Sequence, residues 1–595
     1  LFPVLLPIIA GVLLMFIKFG KREHMQLYIL LILVIDLASI GWIALQPEDT
    51  LTLSQFFIAE GLHVFFHVDM LSKIFSVLIA FVWLMVGIAS FEYMAHEKNE
   101  QRFYCFYLVV GGVLSALAFS GNLLTMYVFY EMMTLTSMPL VMHNLSHEAI
   151  MAGLKYLFYS VAGAFMVLFG FFLFNAEGRV LYFAPGGIIN EPNPSGIMLF
   201  AVFLMIIGFG TKAGMFPMHG WLPTAHPVAP APASAVLSGV ITKAGVLGII
   251  RSVYYVAGPD MIKGTWVQYT WIILSILTIF MGSMMAYKEK VLKKRLAYST
   301  VSQVSYILFG LSVMQPIAFV GALMHVIFHS LVKNTLFVSA GAIICKTGKT
   351  KVRQLVGIGK EMPVTMWCFT LVSLTLIGIP PTSAFVSKWY LISGALDSGI
   401  PGLSWVGPVD LLISALLTAG YLLTISIKAF FPGEDYDYTK LVNHEPTWRM
   451  LLPMDAMTAL AYLKTRPEVD PKRIMIAGDG TGAVVALLAG LLARDQVERV
   501  VALNPLAAYA CLATAFPYRW PEMMIIPEVL KYLDLPELVA TLGSKAVCIQ
   551  PLDEMRRPLS EGQMLTYYGS AIAAGAQVIV MREPETELIK VCKEM

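Results

Sequence analysis

The chain has 595 residues, 57% hydrophobic and 13% charged, with a formal net charge of +2 and a mean hydropathy of +0.72. A water-soluble protein of this length has nowhere to hide so much apolar surface, whereas bilayer lipid solvates it. Six scattered cysteines (Cys105, Cys345, Cys368, Cys511, Cys548, Cys592) without a CxxC pair argue against a disulfide framework, a zinc knuckle or an iron–sulfur ligand set.

From Leu1 to about Phe431, apolar runs alternate with short polar loops. Hydropathy predicts about thirteen membrane spans: 1–18, 26–45, 70–95, 102–120, 122–142, 148–174, 196–217, 229–256, 267–288, 296–314, 316–345, 364–396 (interrupted) and 409–431. The first run reads as a span rather than a cleavable signal, and the missing initiator Met predicts that the natural chain starts earlier. Lys18, Lys21 and Arg22 follow the first span, and Lys98 and Arg102 the third. Lys288, Lys290, Lys293, Lys294 and Arg295 follow the ninth, and Lys346, Lys349, Lys351 and Arg353 the eleventh. All these loops fall on one side. Loops 46–68, 175–195 and 397–408, on the other, hold almost no Lys or Arg. The positive-inside rule therefore places the N-terminus outward and everything after the last span in the cytoplasm.

Two spans carry proline breaks, GFGTKAGMFPMHGWLP at Gly208–Pro223 in the seventh and GIPPTSAFVSK at Gly378–Lys388 in the twelfth. Proline removes a backbone donor and frees carbonyls. In a membrane such breaks persist only where protein or a water-filled cavity satisfies the freed groups. Paired breaks in two halves are the sequence sign of internal repeats in ion carriers; simple kinks are the plainer reading.

The spans also hold ionisable residues. Glu131 lies near the middle of the fifth, Lys212 beside the first break, Lys243 central in the eighth and Lys388 after the second break. In the eleventh, His325, His329 and Lys333 recur every four residues, on one helical face. An intramembrane charge costs roughly 2.5–3.5 kcal/mol on insertion scales. Burial disfavours the charged form of lysine, and histidine titrates near neutrality, so a line of such groups joined by water is a proton relay. Lys155 and Lys428 sit near span ends and snorkel. Asp36 and Asp69 read as helix-end or packing groups, with a transport role as the alternative for both, Asp69 as an accessory site. His219 and His226 flank the WLP turn, where they serve either the relay or the free carbonyls of the break.

The run GTKAGMFPMHGWLPTAHPVAPAPASAVLSGVITKAGVLGIIR, with KKRLAYSTVSQVSYILFG, HVIFHSLVKNTLFVSAG and GIPPTSAFVSKW, resembles the antiporter-like subunits shared by respiratory complex I, the Mrp sodium/proton antiporters and membrane-bound energy-converting hydrogenases. The resemblance covers residues 1 to about 453. It implies an all-α polytopic membrane domain with two inverted five-helix repeats, spans four to eight and nine to thirteen, and broken helices seven and twelve. It further implies that Glu131 pairs with Lys212, and that Lys243, His325, His329, Lys333 and Lys388 continue a proton path. Changes in the Glu131–Lys212 pair would alter the proton affinity of Lys243.

By the same resemblance the partners are other membrane subunits, the lipid bilayer, H⁺ and, as an open alternative, Na⁺; no nucleic acid is expected. No cofactor is expected on this chain. Flavin and iron–sulfur clusters, or a NiFe centre, belong on partner subunits if the complex is redox-driven. The setting implied is the cytoplasmic membrane of a prokaryote. The alternatives are a stand-alone Mrp-type antiporter subunit and a structural membrane scaffold.

Residues 455–595 are soluble in character, where the resemblance predicts another apolar span. DAMTALAYLKTRPEVDPKRIMIAGDGTGAVVALLAG resembles the helix–strand–elbow–helix unit of an α/β-hydrolase, with strands expected at 473–478, 498–503, 546–551 and 577–581. The G-x-S-x-G position is Gly478-Asp479-Gly480-Thr481-Gly482, and no histidine follows His444, so a Ser-His-Asp mechanism is not available. The segment reads as a dead docking module or as a join of unrelated sequences; the abrupt switch at Pro453–Asp455 favours the join.

Overall fold

A computed structural model describes residues 1–47, 52–59, 62–176, 182–189, 191, 193–433, 444–463, 475–492, 499–514, 520 and 534–580. The chain forms two compact units, Leu1–Thr465 and Arg466–Met595.

The first unit is helical. In chain order it contains α1 (Phe2–Leu14), α2 (Arg22–Leu45), a two-stranded antiparallel ribbon β1 (Thr52–Ala59) and β2 (Leu62–His67), α3 (Met70–Tyr93), α4 (Glu100–Ala118), α5 (Leu123–Val141), α6 (His147–Asn175) and α7 (Gly196–Ala213). After the first break come α8 (Leu222–Val228), α9 (Ala231–Val236), a π-helical turn at Leu237–Ile241, α10 (Thr242–Ile250) and a second π-helical turn at Arg251–Ala257. Then follow α11 (Pro259–Ile262), α12 (Trp266–Lys288), α13 (Leu292–Ser312), α14 (Pro316–Thr347), α15 (Ile358–Glu361), α16 (Pro363–Ile377), α17 (Ser383–Leu396), α18 (Leu403–Phe430) and α19 (Trp448–Leu463).

Every predicted span is occupied by helix. Among the described residues nine helices are long and apolar enough to cross a membrane, with α1 and α16 as shorter apolar helices. The protein is an integral membrane protein. The predicted loop 46–68 is not all irregular, since its described part forms the β1–β2 ribbon; parts of loops 46–68 and 175–195, and Cys592, lie outside the described residues.

Local chemistry sets the helix starts. Asn122, Ser146 and Ser195 each accept a hydrogen bond from a backbone N–H of the first turn of α5, α6 and α7, satisfying donors that lipid cannot. Glycine lets α6 and α7 touch. A Cβ on Gly163 would stand 2.6 Å from the Gly208 carbonyl oxygen, and one on Gly208 2.4 Å from that of Gly163. This close approach brings Tyr156 and Ser160 of α6 onto Lys212 of α7.

The unit boundary lies some way beyond the expected switch at Pro453–Asp455. Helix α19 runs through Pro453 and packs on α3, α14 and α16. Met450 and Met454 are buried, the Met454 sulfur accepts from Ser339 Oγ, and the Cys368 thiol donates to Asp455 at 3.0 Å. A 16-residue helix therefore stands where the resemblance predicts another span.

The second unit contains a parallel sheet of order β3 (Met475–Asp479), β4 (Arg499–Leu503), β5 (Ala546–Ile549) and β6 (Gln577–Ile579). Helices α20 (Thr481–Leu492), α21 (Tyr509–Thr514), α22 (Leu535–Leu542) and α23 (Glu561–Ala573) accompany it. All the expected strands are present; residues 473, 474, 498 and 581 lie outside the described residues. Gly480, at the strand-to-helix turn, has φ +55°, the left-handed conformation that glycine adopts without strain. Burial pushes the Cys548 thiol up to about 12 and Cys511 up to about 11, so neither is a ready thiolate.

Candidate functional site

At the first break neutral groups serve the backbone near the end of α7: the Trp221 indole N–H donates to Thr211 O at 2.8 Å beside the Gly214 N–H, and Thr278 Oγ1 accepts from Phe216 N. The break thus satisfies its own backbone with neutral groups, and Lys212 is free for other partners. Its ammonium, fully buried, donates to Thr134 Oγ1 (2.9 Å), Tyr156 OH (2.8 Å) and Ser160 Oγ (2.9 Å) and lies 4.2 Å from the centroid of the Tyr156 ring. Three hydroxyls and an aromatic face hold the charge, a box that supports the cation without locking it. Glu131 is half-buried and close enough to act on Lys212 electrostatically, but the two form no ion pair within 4 Å. The expected pair is therefore a separated one.

Lys243 lies just after the π-helical turn, where its ammonium reaches back to Ser238 O at 2.5 Å and, more weakly, to Thr242 Oγ1 at 3.4 Å. Thr242 Oγ1 donates to the same carbonyl. On its other side is a small cavity lined by apolar Phe75, Leu114, Leu117 and Leu247. Turns of this type are frequent where a helix carries function.

The residues of α14 share one face, as their spacing requires. Lys333 donates to Ser299 Oγ (2.7 Å) and Leu296 O (3.2 Å) of α13. His325 bonds through Nδ1 to Ser387 (2.9 Å) and through Nε2 to Gln303 (3.2 Å), and its ring stacks between Tyr306 and His329. His329, also buried, has no hydrogen-bond partner on either ring nitrogen; Gln303 Nε2, Ser330 Oγ and Asn334 Oδ1 are equally unpartnered. His329 lies within electrostatic reach of Lys243, Lys333, His325 and Lys388, so it is the meeting point of the predicted groups.

The second break is built differently. Lys388, on α17, donates to Leu376 O (2.7 Å) and Ile377 O (2.8 Å), the last carbonyls of α16, and sits 5.0 Å above the Tyr306 ring. The C-terminal dipole of α16 favours a cation there.

The accessory candidates separate. His226 is buried, stacks on Phe337, has no partner on either ring nitrogen and lies within electrostatic reach of Lys243, Lys293 and Lys333. His219 is half-buried and stacks on Phe216. Asp69 caps α3 and makes a two-point salt bridge to buried Arg251 at 2.5 and 2.8 Å. Sequence reading assigned Lys293 to a cytoplasmic loop. It is 7% exposed and donates to Ala229 O at 2.6 Å, because α13 begins one residue earlier and carries it inward. Two further groups escaped notice: Asp410 on α18, 6% exposed with an unpartnered Oδ2, and Tyr306, whose ring lies against both Lys388 and His325.

The sequence model of the family described as NADH:quinone oxidoreductase/Mrp antiporter, TM, matches residues 120–429, and that of the NADH-ubiquinone oxidoreductase (complex I) chain 5 N-terminus matches residues 59–104. The chain belongs to the NADH:quinone oxidoreductase/Mrp antiporter membrane family. It is 35% identical over 372 residues to NADH-quinone oxidoreductase subunit N of Desulforudis audaxviator, covering 62% of this chain and 72% of that one. It is 29% identical to one of the Na⁺/H⁺ antiporter subunits of Bacillus subtilis, covering 66% and 78%. Its fold matches a chain of respiratory complex I from Thermus thermophilus with a TM-score of 0.67 at 20% identity, over 78% of this chain and 94% of that one.

Proposed function

We propose that this chain translocates protons as a membrane subunit of a redox-driven complex of the complex I or hydrogenase type, in the cytoplasmic membrane of a prokaryote. One observation carries the reading. Lys212, Lys243, Lys333 and Lys388 are all buried, and none makes an ion pair with a described residue; the hydrogen bonds of each ammonium go to hydroxyls or carbonyls. Cations that merely glued helices together would be matched by carboxylates, since an unpaired buried charge is expensive. Hydroxyl and carbonyl oxygens serve the charged amine and leave the neutral amine tolerable, as a proton carrier requires. The unpartnered nitrogens of His226 and His329 mark where ordered water would bind to join the lysines. Protons are favoured over sodium because an ammonium offers no lone pair to a metal ion.

In this reading Glu131 tunes Lys212, the proton passes Lys243 and the α14 groups, and Lys388 delivers it to the outer side. The driving redox groups, flavin and iron–sulfur clusters or a NiFe centre, belong to partner membrane-complex subunits. The N-terminus faces outward and the second unit, Arg466–Met595, lies in the cytoplasm, with no hydrolase activity. Likeness to the Bacillus subtilis antiporter protein favours a second reading, membership of a stand-alone Mrp-type antiporter. Co-purified flavin or iron–sulfur subunits support the first reading, and exclusively small hydrophobic partners the second. Lys388→Ala and Glu131→Ala test both against a scaffold. Loss of pumping with an intact complex supports transport, whereas unchanged pumping with lost assembly overturns it.

A further inference from the structure

Asp410 is a buried acid that the path above does not use. It lies in the second turn of α18, 6% exposed, with Oδ2 shielded and unpartnered. A carboxyl group placed so in a membrane helix is costly and calls for an explanation. Its surroundings supply one. Tyr306 donates its hydroxyl to the carbonyl of Leu411, the next residue along, at 2.9 Å, and the Asp410 carboxyl is near enough to act on that phenol. The same Tyr306 ring carries Lys388 at 5.0 Å on its face and stacks on His325 at 5.6 Å. One turn on from Asp410, Ser414 bonds to Ser283 and Ser302 at 2.5 and 3.2 Å, so the helix face continues as hydroxyls. Helix α18 packs on α16 and α17 of the second break as α10, which carries Lys243, packs on α7 of the first.

We propose that Asp410 is the terminal proton acceptor, taking the proton from Lys388 beside Tyr306 and releasing it at the outer side. The inference rests on the proton-transfer reading above. Lys388 and Asp410 make no ion pair, so the proton crosses through water or the Tyr306 hydroxyl. An N–H bond of the Lys388 ammonium breaks and an O–H bond forms on Asp410, leaving a neutral amine and a neutral carboxylic acid. The acid then gives its proton to bulk water and returns to carboxylate; the net movement is one proton.

The test uses the whole complex in membrane vesicles, with Asp410→Asn, Asp410→Glu, Lys212→Ala and, as a control, Asp36→Asn. Asp36 is an equally buried acid on α2, which packs on α1, α3 and α4, away from the path. Proton uptake in Asp410→Asn is expected to fall by about 10²-fold, with Asp410→Glu restoring a large part and Asp36→Asn unchanged. Infrared difference spectra of the wild-type complex are expected to show a carboxylic-acid C=O band that appears during turnover and is missing in Asp410→Asn. Lost uptake in Lys212→Ala with full uptake in Asp410→Asn overturns the Asp410 proposal and leaves the proton-transfer reading standing. Unchanged uptake in both overturns that reading as well. If Asp410→Asn does not assemble, the assignment falls to the wild-type band and Asp410→Glu. A turnover-linked band shifted by the glutamate supports the proposal, and no such band overturns it.

Discussion

The two broken helices hold their lysines in opposite ways. At the first break Trp221 and Thr278 satisfy backbone groups, and Lys212 rests in a box of Thr134, Tyr156 and Ser160. At the second break Lys388 itself caps the last carbonyls of α16. Similar sequence punctuation therefore produces one lysine that is structurally dispensable and one that holds its helix end together. In the proposed path the difference suits the two ends: the first lysine lies within electrostatic reach of Glu131, and the last rests on the carbonyl end of α16.

This contrast makes graded predictions. Lys388→Met has the largest combined effect, losing transport and leaving two carbonyls unpaired at about 1–3 kcal/mol each, which thermal unfolding of the complex reads as a lowered Tm. Lys212→Met is expected to lose transport equally while its Tm stays near wild type, because Ser137 and Tyr156 already bond to each other at 2.6 Å. A fall in Tm as large as that of Lys388→Met would erase the distinction. Asp69→Asn, outside both breaks, is expected to cost about 3–5 kcal/mol of stability by stranding buried Arg251, with transport per assembled complex unchanged. Trp221→Phe removes one of the two donors to the Thr211 carbonyl, the Gly214 N–H remaining at 3.2 Å, and is expected to cost about 0.5–1.5 kcal/mol with partial transport retained. Tyr156→Phe, removing one of the three hydroxyls around Lys212, sharpens the comparison most gently: transport slowed by less than about tenfold.

The breaks and their lysines were legible because proline and intramembrane charge are rare enough to stand out. The α14 face was legible from a regular spacing of His325, His329 and Lys333. The hydroxyl box was not, because Thr134, Tyr156 and Ser160 are ordinary residues on two helices, and close approaches at Gly163–Gly208 and Gly170–Ala201 bring α6 onto α7. Lys293 looked like a loop charge because it stands in a run of basic residues with partly exposed Lys294, and the reach to Ala229 reveals its burial. Asp410 sat at the edge of a predicted span, where an acid reads as an end group. Glu131 and Lys212 are neighbours by field rather than contact, a distinction invisible without coordinates.

The central claim is that the buried lysines carry protons. Proton uptake into vesicles holding the complex with Lys212→Met, measured alongside its Tm and subunit content, tests it most directly. Uptake abolished in a fully assembled complex of unchanged Tm is the predicted result. Wild-type uptake from the same assembled complex would contradict it.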